Sequence, residues 1–467
     1  MHGHLLGTIG AGERVANPES IELPAGYEIE ALVTGLNYPA AIAWEPSGAM
    51  LIAESWPPYG VALEMEPRIL RRRPDGSLEP LAGGFELPIS DIAMHRGTLY
   101  VSHRGRISVV DNGRLRDVIA GLPSWGLHQN TGLAFDGAGR LYFGQGTVSN
   151  AGVVGPLELG YLMAAGRVRD CDIPGEAVVL TGKSYDVSDP VTGEVRPTGA
   201  FLPWGTPAVP GQRLPGPEPG KAASGAILSA GPDGTDLRVY AWGLRNPYGL
   251  AFAPDGRLFV TNQGARPLDP RPIAGDVDGL YEVREGTWYG WPDYCGGVPV
   301  SDERFRQPGG RRHEPLLANH DELLRGRPHP PQPVAVLGQQ AGAAGFDFCR
   351  DPRFGFAGQA FIAEFGPLLE PREQGSGPCA PGGHRVVRVD PVSGAASDFA
   401  INRSRLPASL SGNTGGLERP IAARFGPDGC LYIVDSGVVH YSEEARGWVA
   451  VPATGIIWRI AHSGIPV

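Results

Sequence analysis

A recurring unit constrains this chain more than any other feature of its sequence. An apolar run, a turn containing Gly and a second apolar run can be laid over one another along its length. The copies are PAAIAWEPSGAMLIAESW (39 to 56), ISDIAMHRGTLYVSHRG (89 to 105), HQNTGLAFDGAGRLYFGQG (128 to 146), NPYGLAFAPDGRLFVTNQG (246 to 264), AGFDFCRDPRFGFAGQAFIAEFG (344 to 366) and RPIAARFGPDGCLYIVDSG (419 to 437). Each holds two short β-branched or aromatic runs joined by a tight turn, which is the pattern of a β-hairpin. Further strand pairs lie between copies, as RILRRRPDGSLEPLAGGF, GAILSAGPDGTDLRVYAWGL and HRVVRVDPVSGAASDFA. Two hairpins per repeat make a four-stranded blade. The spacing therefore predicts an all-β chain folded as a six-bladed β-propeller, whose radial repetition protects the sheet edges.

The ends of the chain point to closure. The run GIIWRIAH (455 to 462) resembles the outer-hairpin runs but has no hairpin pair after it. It is expected to complete the first blade beside YEIEALVTGL, so that N- and C-terminal strands pair and close the ring. An open solenoid of hairpins would need capping repeats, and none is visible. The expected organisation is an N-terminal extension over 1–24 and a propeller over 25–463, with rim insertions at about 150–222 and 291–340. The first insertion contains PWGTPAVPGQRLPGPEPG (203 to 220), too proline-rich to read as strand. Long excursions of this kind leave from one rim and are expected to shape the mouth of the central channel.

Composition agrees and excludes several classes. The 69 Gly and 46 Pro would suit disorder, but 42% hydrophobic and 19% charged residues argue for a packed core. A net charge of −10 excludes a nucleic-acid binder, because nothing basic enough replaces the phosphate counterions. No window of 18 apolar residues, the length a membrane-spanning helix needs, appears. Met1 to Val15 lacks a cationic segment followed by an apolar one, so no leader is read there. Cys171, Cys295, Cys349, Cys379 and Cys430 are far apart and form no C-x-x-C, which leaves buried thiols or a disulfide that cannot be paired from sequence. Lys183 and Lys221 are the only lysines, so nearly every cation is a guanidinium.

No G-x-S-x-G, H-E-x-x-H or EF-hand loop is present, and AVVLTGKSYD has Ala177 where a phosphate loop needs its first Gly. The informative positions are at the starts of the repeat copies, because inner strands begin at the axial channel. There the chain offers His128, Gln129 and Asn130, Arg245 and Asn246, Arg419, and Ser90 with Asp91. The loops after the inner hairpins add Gln145 and Gly146, Asn262 to Ala265, and Glu364. An imidazole, two guanidiniums and several amides on one axis suit a small, polar, anionic ligand. Each also has a plain structural use: His128 as a strand cap, Arg245 as a tie between blades.

The runs LHQNTGLAF…LYFGQGTVSNAGVVG, TGAFLPWGTPAVPGQ, GLRNPYGLAFAPDGRLFVTNQG and RPIAARFGPDGCLYIVDSG resemble the glucose/sorbosone dehydrogenase family over roughly residues 25 to 463. These are propellers that use pyrroloquinoline quinone (PQQ). The resemblance implies an oxidoreductase acting on an aldose, a sorbosone-like sugar or a related alcohol or aldehyde. It implies His128 as general base and Arg419 as a second catalytic residue, with Arg245, Asn246, Gln263 and Arg419 contacting PQQ. It further implies that the loop Gln263, Gly264 and Ala265 holds a catalytic Ca²⁺ through its carbonyls, with Asp278 as the acidic residue just beyond. The family usually works outside the cytoplasmic membrane. No C-x-x-C-H is present, so any electron acceptor is a separate molecule.

The chain departs from the family in three places. Leu127 stands where glucose-oxidising members have an aspartate before the base, Ile421 stands where a second arginine follows Arg419, and a cofactor-contacting lysine has no match. Two other readings stay open: a calcium-dependent lactonase-type hydrolase using Glu54, Asp435 and Asn262, and a non-enzymatic carbohydrate- or protein-binding propeller.

Overall fold

The structure is a computed structural model, and it describes residues 14–56, 66–111, 113–368, 382–412, 415–442 and 447–463. Six antiparallel sheets stand around one axis. Blade one is Pro39–Trp44, Met50–Glu54, Arg68–Arg72 and Leu78–Gly83; blade two is Ile89–His95, Thr98–His103, Arg106–Asp111 and Arg114–Ala120. Blade three is Asn130–Phe135, Leu141–Gln145, Ala226–Ala230 and Arg238–Trp242; blade four is Asn246–Phe252, Leu258–Gln263, Asp278–Val283 and Ala335–Gly338. Blade five is Ala343–Phe348, Ala360–Glu364, Arg385–Val389 and Ala396–Asn402. Blade six takes Pro420–Phe425, Leu431–Asp435 and Gly455–His462, and its outermost strand is Tyr27–Leu36 from the other end of the chain. The six hairpins read from the repeat are the six inner hairpins, and the ring is closed by the expected pairing of terminal strands. The blade they complete is that of copy 419 to 437, because Leu78–Gly83 already supplies the fourth strand beside Pro39–Trp44.

Other details differ from expectation. Ala335–Gly338 pairs with Asp278–Val283, so the second excursion ends before 335. Within the proline-rich stretch, Arg213–Leu214 forms a short ribbon with Val178–Val179, made possible because Pro210 and Pro215 flank it without interrupting it. Part of the N-terminal extension also joins the ring: Ile21–Glu22 pairs with the outer strand of blade five, and the buried Arg14 forms an ion pair with Asp435 at 2.6 Å. Cys171, Cys295, Cys349 and Cys430 are free thiols, while Cys379 lies outside the described residues. No helix among the described residues is long and apolar enough to cross a membrane.

Every inner hairpin slips register near its axial end. The shifts fall between Pro39 and Ala41, Ile89 and Asp91, Asn130 and Leu133, Pro247 and Leu250, Ala343 and Phe346, and Pro420 and Ala422. A bulge adds a residue to one strand and re-aims the side chains beside it. Beyond the bulges the inner strands approach one another closely. A Cβ on Gly132 would stand 2.7 Å from the Tyr248 carbonyl oxygen, and one on Gly249 would stand 2.4 Å from that of Ala344. Farther along, the axis is filled by an ion pair from blade six to blade two, Arg424 to Asp91 at 3.0 Å, with both side chains largely buried. Asp91 also accepts from Leu133 N at 2.9 Å, and Arg424 bonds the Phe346 carbonyl, so one pair ties four blades.

Removing Asp91 would leave Arg424 buried without its carboxylate. Asp91→Ala is expected to cost about 3–5 kcal/mol in urea unfolding, and Arg424→Met added to it to recover part of that loss. A cost below about 1 kcal/mol would show that the axis does not depend on this pair.

Candidate functional site

A cavity of about 410 Å³ opens at the bulged end of the axis. Its volume falls in the range of about 300–1,000 Å³ usual for small-molecule sites. Bulge residues from four blades form part of its lining: Ala40, Ser90, Tyr248 and Ile421. The first rim insertion reaches over it through the helix Pro156–Ala164, whose Leu157 and Tyr161 face the cavity, and Gln340 comes from the loop between Ala335–Gly338 and the inner strand of blade five. Asn150 fastens that covering segment to blade four. Its side chain donates to Arg266 O at 2.8 Å and accepts from Arg266 N at 2.9 Å, and its backbone carbonyl accepts from Arg245 Nε at 3.2 Å.

His128 lies in the cavity wall, 9% exposed. Its backbone N–H donates to Thr147 O at 3.1 Å, and its Nδ1 meets the same carbonyl oxygen at 3.1 Å. A carbonyl only accepts, so Nδ1 carries the proton and Nε2 keeps its lone pair, with no partner among the described residues. Thr147 Oγ1, 3.2 Å from Nδ1, donates onward to Ser149 O at 2.6 Å. This segment is set by the buried Asp172, which accepts from Val148 N, Ser149 N and Ser149 Oγ. Burial lowers the His128 pKa well below its usual value, and the nearby Arg245 and Arg266 guanidiniums lower it further. The imidazole is neutral at physiological pH. The orientation that Leu127 cannot supply comes from Thr147, which pattern reading missed because the pairing joins two loops.

Arg245, Asn246 and Gln263 join His128 in the lining, together with Gln129 and Arg266. Asn262 Oδ1 accepts from both Arg245 N and Asn246 N at 3.0 Å, fixing the start of the inner strand. Asn246 Nδ2 donates to Gln263 Oε1 at 2.9 Å, and Gln263 Nε2 donates to Ala343 O at 3.0 Å, which carries the amide chain into blade five. Asn246 Oδ1 is buried and has no donor among the described residues.

The remaining predicted residues stand away from the lining. Arg419 is buried beside Phe365, whose ring is 5.0 Å from its guanidinium, and Nη1 donates to Pro367 O at 3.2 Å. Its Nε has no partner among the described residues. Asp278 is buried, and its oxygens accept from Gly264 N and Ala343 N, each at 2.9 Å. Ala265 N donates to Asp276 at 2.6 Å. The carbonyls of Gly264 and Ala265 meet no donor among the described residues. No three His, Cys, Asp or Glu side chains gather as a metal-holding group among those residues. Asn130 is a structural clamp, donating to Ser102 Oγ, His103 O and Arg106 O. Gln145 is likewise internal, and Glu364 pairs with Arg385 at 2.7 Å. Of the hydrolase candidates, Glu54 pairs with Arg68, Asp435 with Arg14, and Asn262 caps the strand above, and none of the three lines the cavity. Lys183 pairs with Glu314 on the insertions.

The sequence model of the family Glucose / Sorbosone dehydrogenase matches residues 220–316, which contain Arg245, Asn246, Gln263, Gly264, Ala265 and Asp278. The resemblance read from the repeat runs is therefore present in this segment. No curated protein matches the chain. Among solved structures, the chain is similar to the soluble aldose sugar dehydrogenase from Escherichia coli in its apo form, at 15% identity and a TM-score of 0.53 over 93% of this chain and 99% of that one. It is similar to the calcium structure of a Trichoderma reesei Carbohydrate-Active Enzymes Family AA12 protein, at 14% identity and a TM-score of 0.54 over 96% and 98%. The PQQ-bound aldose sugar dehydrogenase from Streptomyces coelicolor matches at 17% identity and a TM-score of 0.50 over 94% and 100%. The chain shares the propeller fold of these proteins along nearly its whole length.

Gly146 leaves room for His128, since a Cβ there would stand 2.3 Å from His128 Cβ and 2.9 Å from Asn246 Oδ1. Gly146→Ala is expected to cost roughly 1–3 kcal/mol and to move the His128 imidazole signals in ¹⁵N NMR. Unchanged signals would show that the wall yields without moving the imidazole.

Proposed function

We propose that this protein is a PQQ-dependent oxidoreductase that oxidises a hydroxyl of an aldose, a sorbosone-like sugar or a related alcohol, with His128 as general base. The observation that carries this reading is the His128 imidazole, held neutral with Nδ1 on a carbonyl and Nε2 unpartnered in the wall of an axial cavity. A base for a hydroxyl proton needs that tautomer and that charge state at working pH.

The residues fit a compact, planar polyanion. Arg245 and Arg266 bring guanidiniums to the lining, Gln129, Asn246 and Gln263 bring amides, and Arg419 adds positive charge behind Phe365. The open carbonyls of Gly264 and Ala265 suit a hard cation, and each Asp278 oxygen keeps a lone pair beyond the N–H it accepts. When bound, PQQ with Ca²⁺ supplies the acceptor for the hydride leaving the substrate carbon. His128 Nε2 takes the hydroxyl proton, and Thr147 holds the ring in place during the transfer. Arg245 and Arg266 favour negative charge developing on oxygen. Leu157 and Tyr161 of the covering helix limit access of water.

Purified protein supplied with PQQ and Ca²⁺ is expected to reduce an artificial dye saturably with at least one of a panel of aldoses, sorbosone and simple alcohols. No quinone binding and no turnover would overturn the reading. His128→Ala is expected to lower kcat/KM by about 10²–10⁴ while leaving thermal unfolding unchanged. Because the pKa of His128 is lowered from 6.5, its contribution to the rate should hold as pH falls to 6.5.

A further inference from the structure

The cavity is lined by two guanidiniums, Arg245 and Arg266, and by no Asp or Glu among the described residues, in a chain whose net charge is −10. Those cations are held in place by a residue behind the lining. Asn150, 2% exposed and outside the lining itself, meets both arginines. Its carbonyl oxygen accepts from Arg245 Nε and from Trp291 Nε1, each at 3.2 Å. Its Oδ1 accepts from Arg245 Nε at 3.2 Å and from Arg266 N at 2.9 Å, while its Nδ2 donates to Arg266 O at 2.8 Å. Its own N–H donates to Glu158 Oε1 at 2.9 Å, and Glu158 Oε2 accepts from Gly155 N at 3.2 Å, which fixes Asn150 to the first turn of the covering helix. Backbone and side-chain polar groups of Asn150 are thus all engaged. The side-chain amide pairs with the N–H and the C=O of one residue, so its orientation is settled by its partners.

We propose that Asn150 is the positioning residue for both guanidiniums of the cavity, and that through them it sets the charge felt by His128 and by a bound anion. For the identity of that anion, PQQ, this rests on the oxidoreductase reading of the same site. An amide is the group this place requires. It grips Arg245 Nε directly and clamps the backbone from which the Arg266 side chain enters the lining, yet it brings no charge. An Asp here would turn an oxygen toward the Arg266 carbonyl, acceptor against acceptor, and would set a carboxylate against Arg245. A Gln would carry the same amide one methylene too far. The two arginines both disfavour the charged form of the His128 imidazole, so their placement is read at His128 as well as at the ligand. Through Glu158 the same placement is tied to the helix whose Leu157 and Tyr161 cover the cavity. A charge-assisted hydrogen bond is worth roughly tenfold to a hundredfold in affinity, so a displaced guanidinium is measurable.

Two measurements on the full chain test this: calorimetric titration with PQQ in the absence of Ca²⁺, and the pH titration of the His128 ring by ¹⁵N NMR. Asn150→Ala is expected to weaken PQQ binding about tenfold or more. It is also expected to move protonation of His128 to higher pH than in the unaltered protein, because loosened guanidiniums oppose the charged ring less. Asn150→Asp keeps the shape of the side chain and adds a carboxylate beside Arg245, so it is expected to shift both readouts further in the same directions. Should Asn150→Ala fail to fold, Asn150→Asp and Asn150→Ser carry the test. A residue that merely fastens the covering segment would lower Tm and leave His128 alone. A His128 titration that stays in place in the variants therefore overturns the proposal, whatever the loss in Tm. Unaltered protein that binds no PQQ retires the oxidoreductase reading, and the His128 titration of the variants then decides the positioning role by itself.

Discussion

The close approach of inner strands around the axis governs the rest of this molecule. Where Gly132, Gly249 and Gly345 lie, the next inner strand passes so near that a Cβ would meet backbone or Cβ atoms at 2.7, 2.4 and 2.9 Å. With no side chain between strands, the axis is too narrow to remain open along its length, and the Arg424 and Asp91 pair occupies what is left. A pair buried this deeply gains little over apolar packing, but breaking it leaves a stranded charge, so it acts mainly to fix which blades meet. The space for a ligand is thus displaced to the end where the bulges widen the ring.

The same geometry explains why equivalent positions carry unlike chemistry. The residue ending the second strand of each blade is polar in every case: Glu54, His103, Gln145, Gln263, Glu364 and Asp435. Most of these serve as latches, to Arg68, Ser108, Pro123 O, Arg385 and Arg14, and hold each hairpin in register. Gln263 alone among them also lines the cavity. Likewise the bulge residues range from Ala40 and Ser90 to Tyr248 and Ile421. The repeat supplies a frame of identical backbone, and function is written in the few side chains that the frame turns toward one end.

Local pattern therefore revealed the frame better than the site. Six hairpins and the terminal pairing were legible because period-two apolar runs and Gly turns are short-range signals; Gly256 and Gly429, at φ 88° and 82°, are such turns. His128, Arg245, Asn246 and Gln263 were legible because they sit at corresponding places of the repeat. Arg419 shows the limit of that argument, since the same register places it behind Phe365 rather than in the lining. Thr147, Arg266 and Asp172 were not legible. Their positions follow from contacts between distant loops, such as Val148 N to Asp172, and no periodicity announces those.

The setting of His128 also accounts for the missing aspartate. A carboxylate on Nδ1 would raise the imidazole pKa and favour its charged form, while Arg245 and Arg266 nearby oppose that form. A neutral carbonyl orients the ring without adding charge, so Thr147 satisfies both demands that Leu127 leaves open. The cost is basicity, because an imidazole with a lowered pKa is a weaker proton acceptor. In the proposed reaction the same two guanidiniums offset that cost, since they lower the energy of an oxygen that is losing its proton beside them. In the proposed reaction, base and electrostatic support are thus a single arrangement, and replacing Leu127 by an acid would unbalance it.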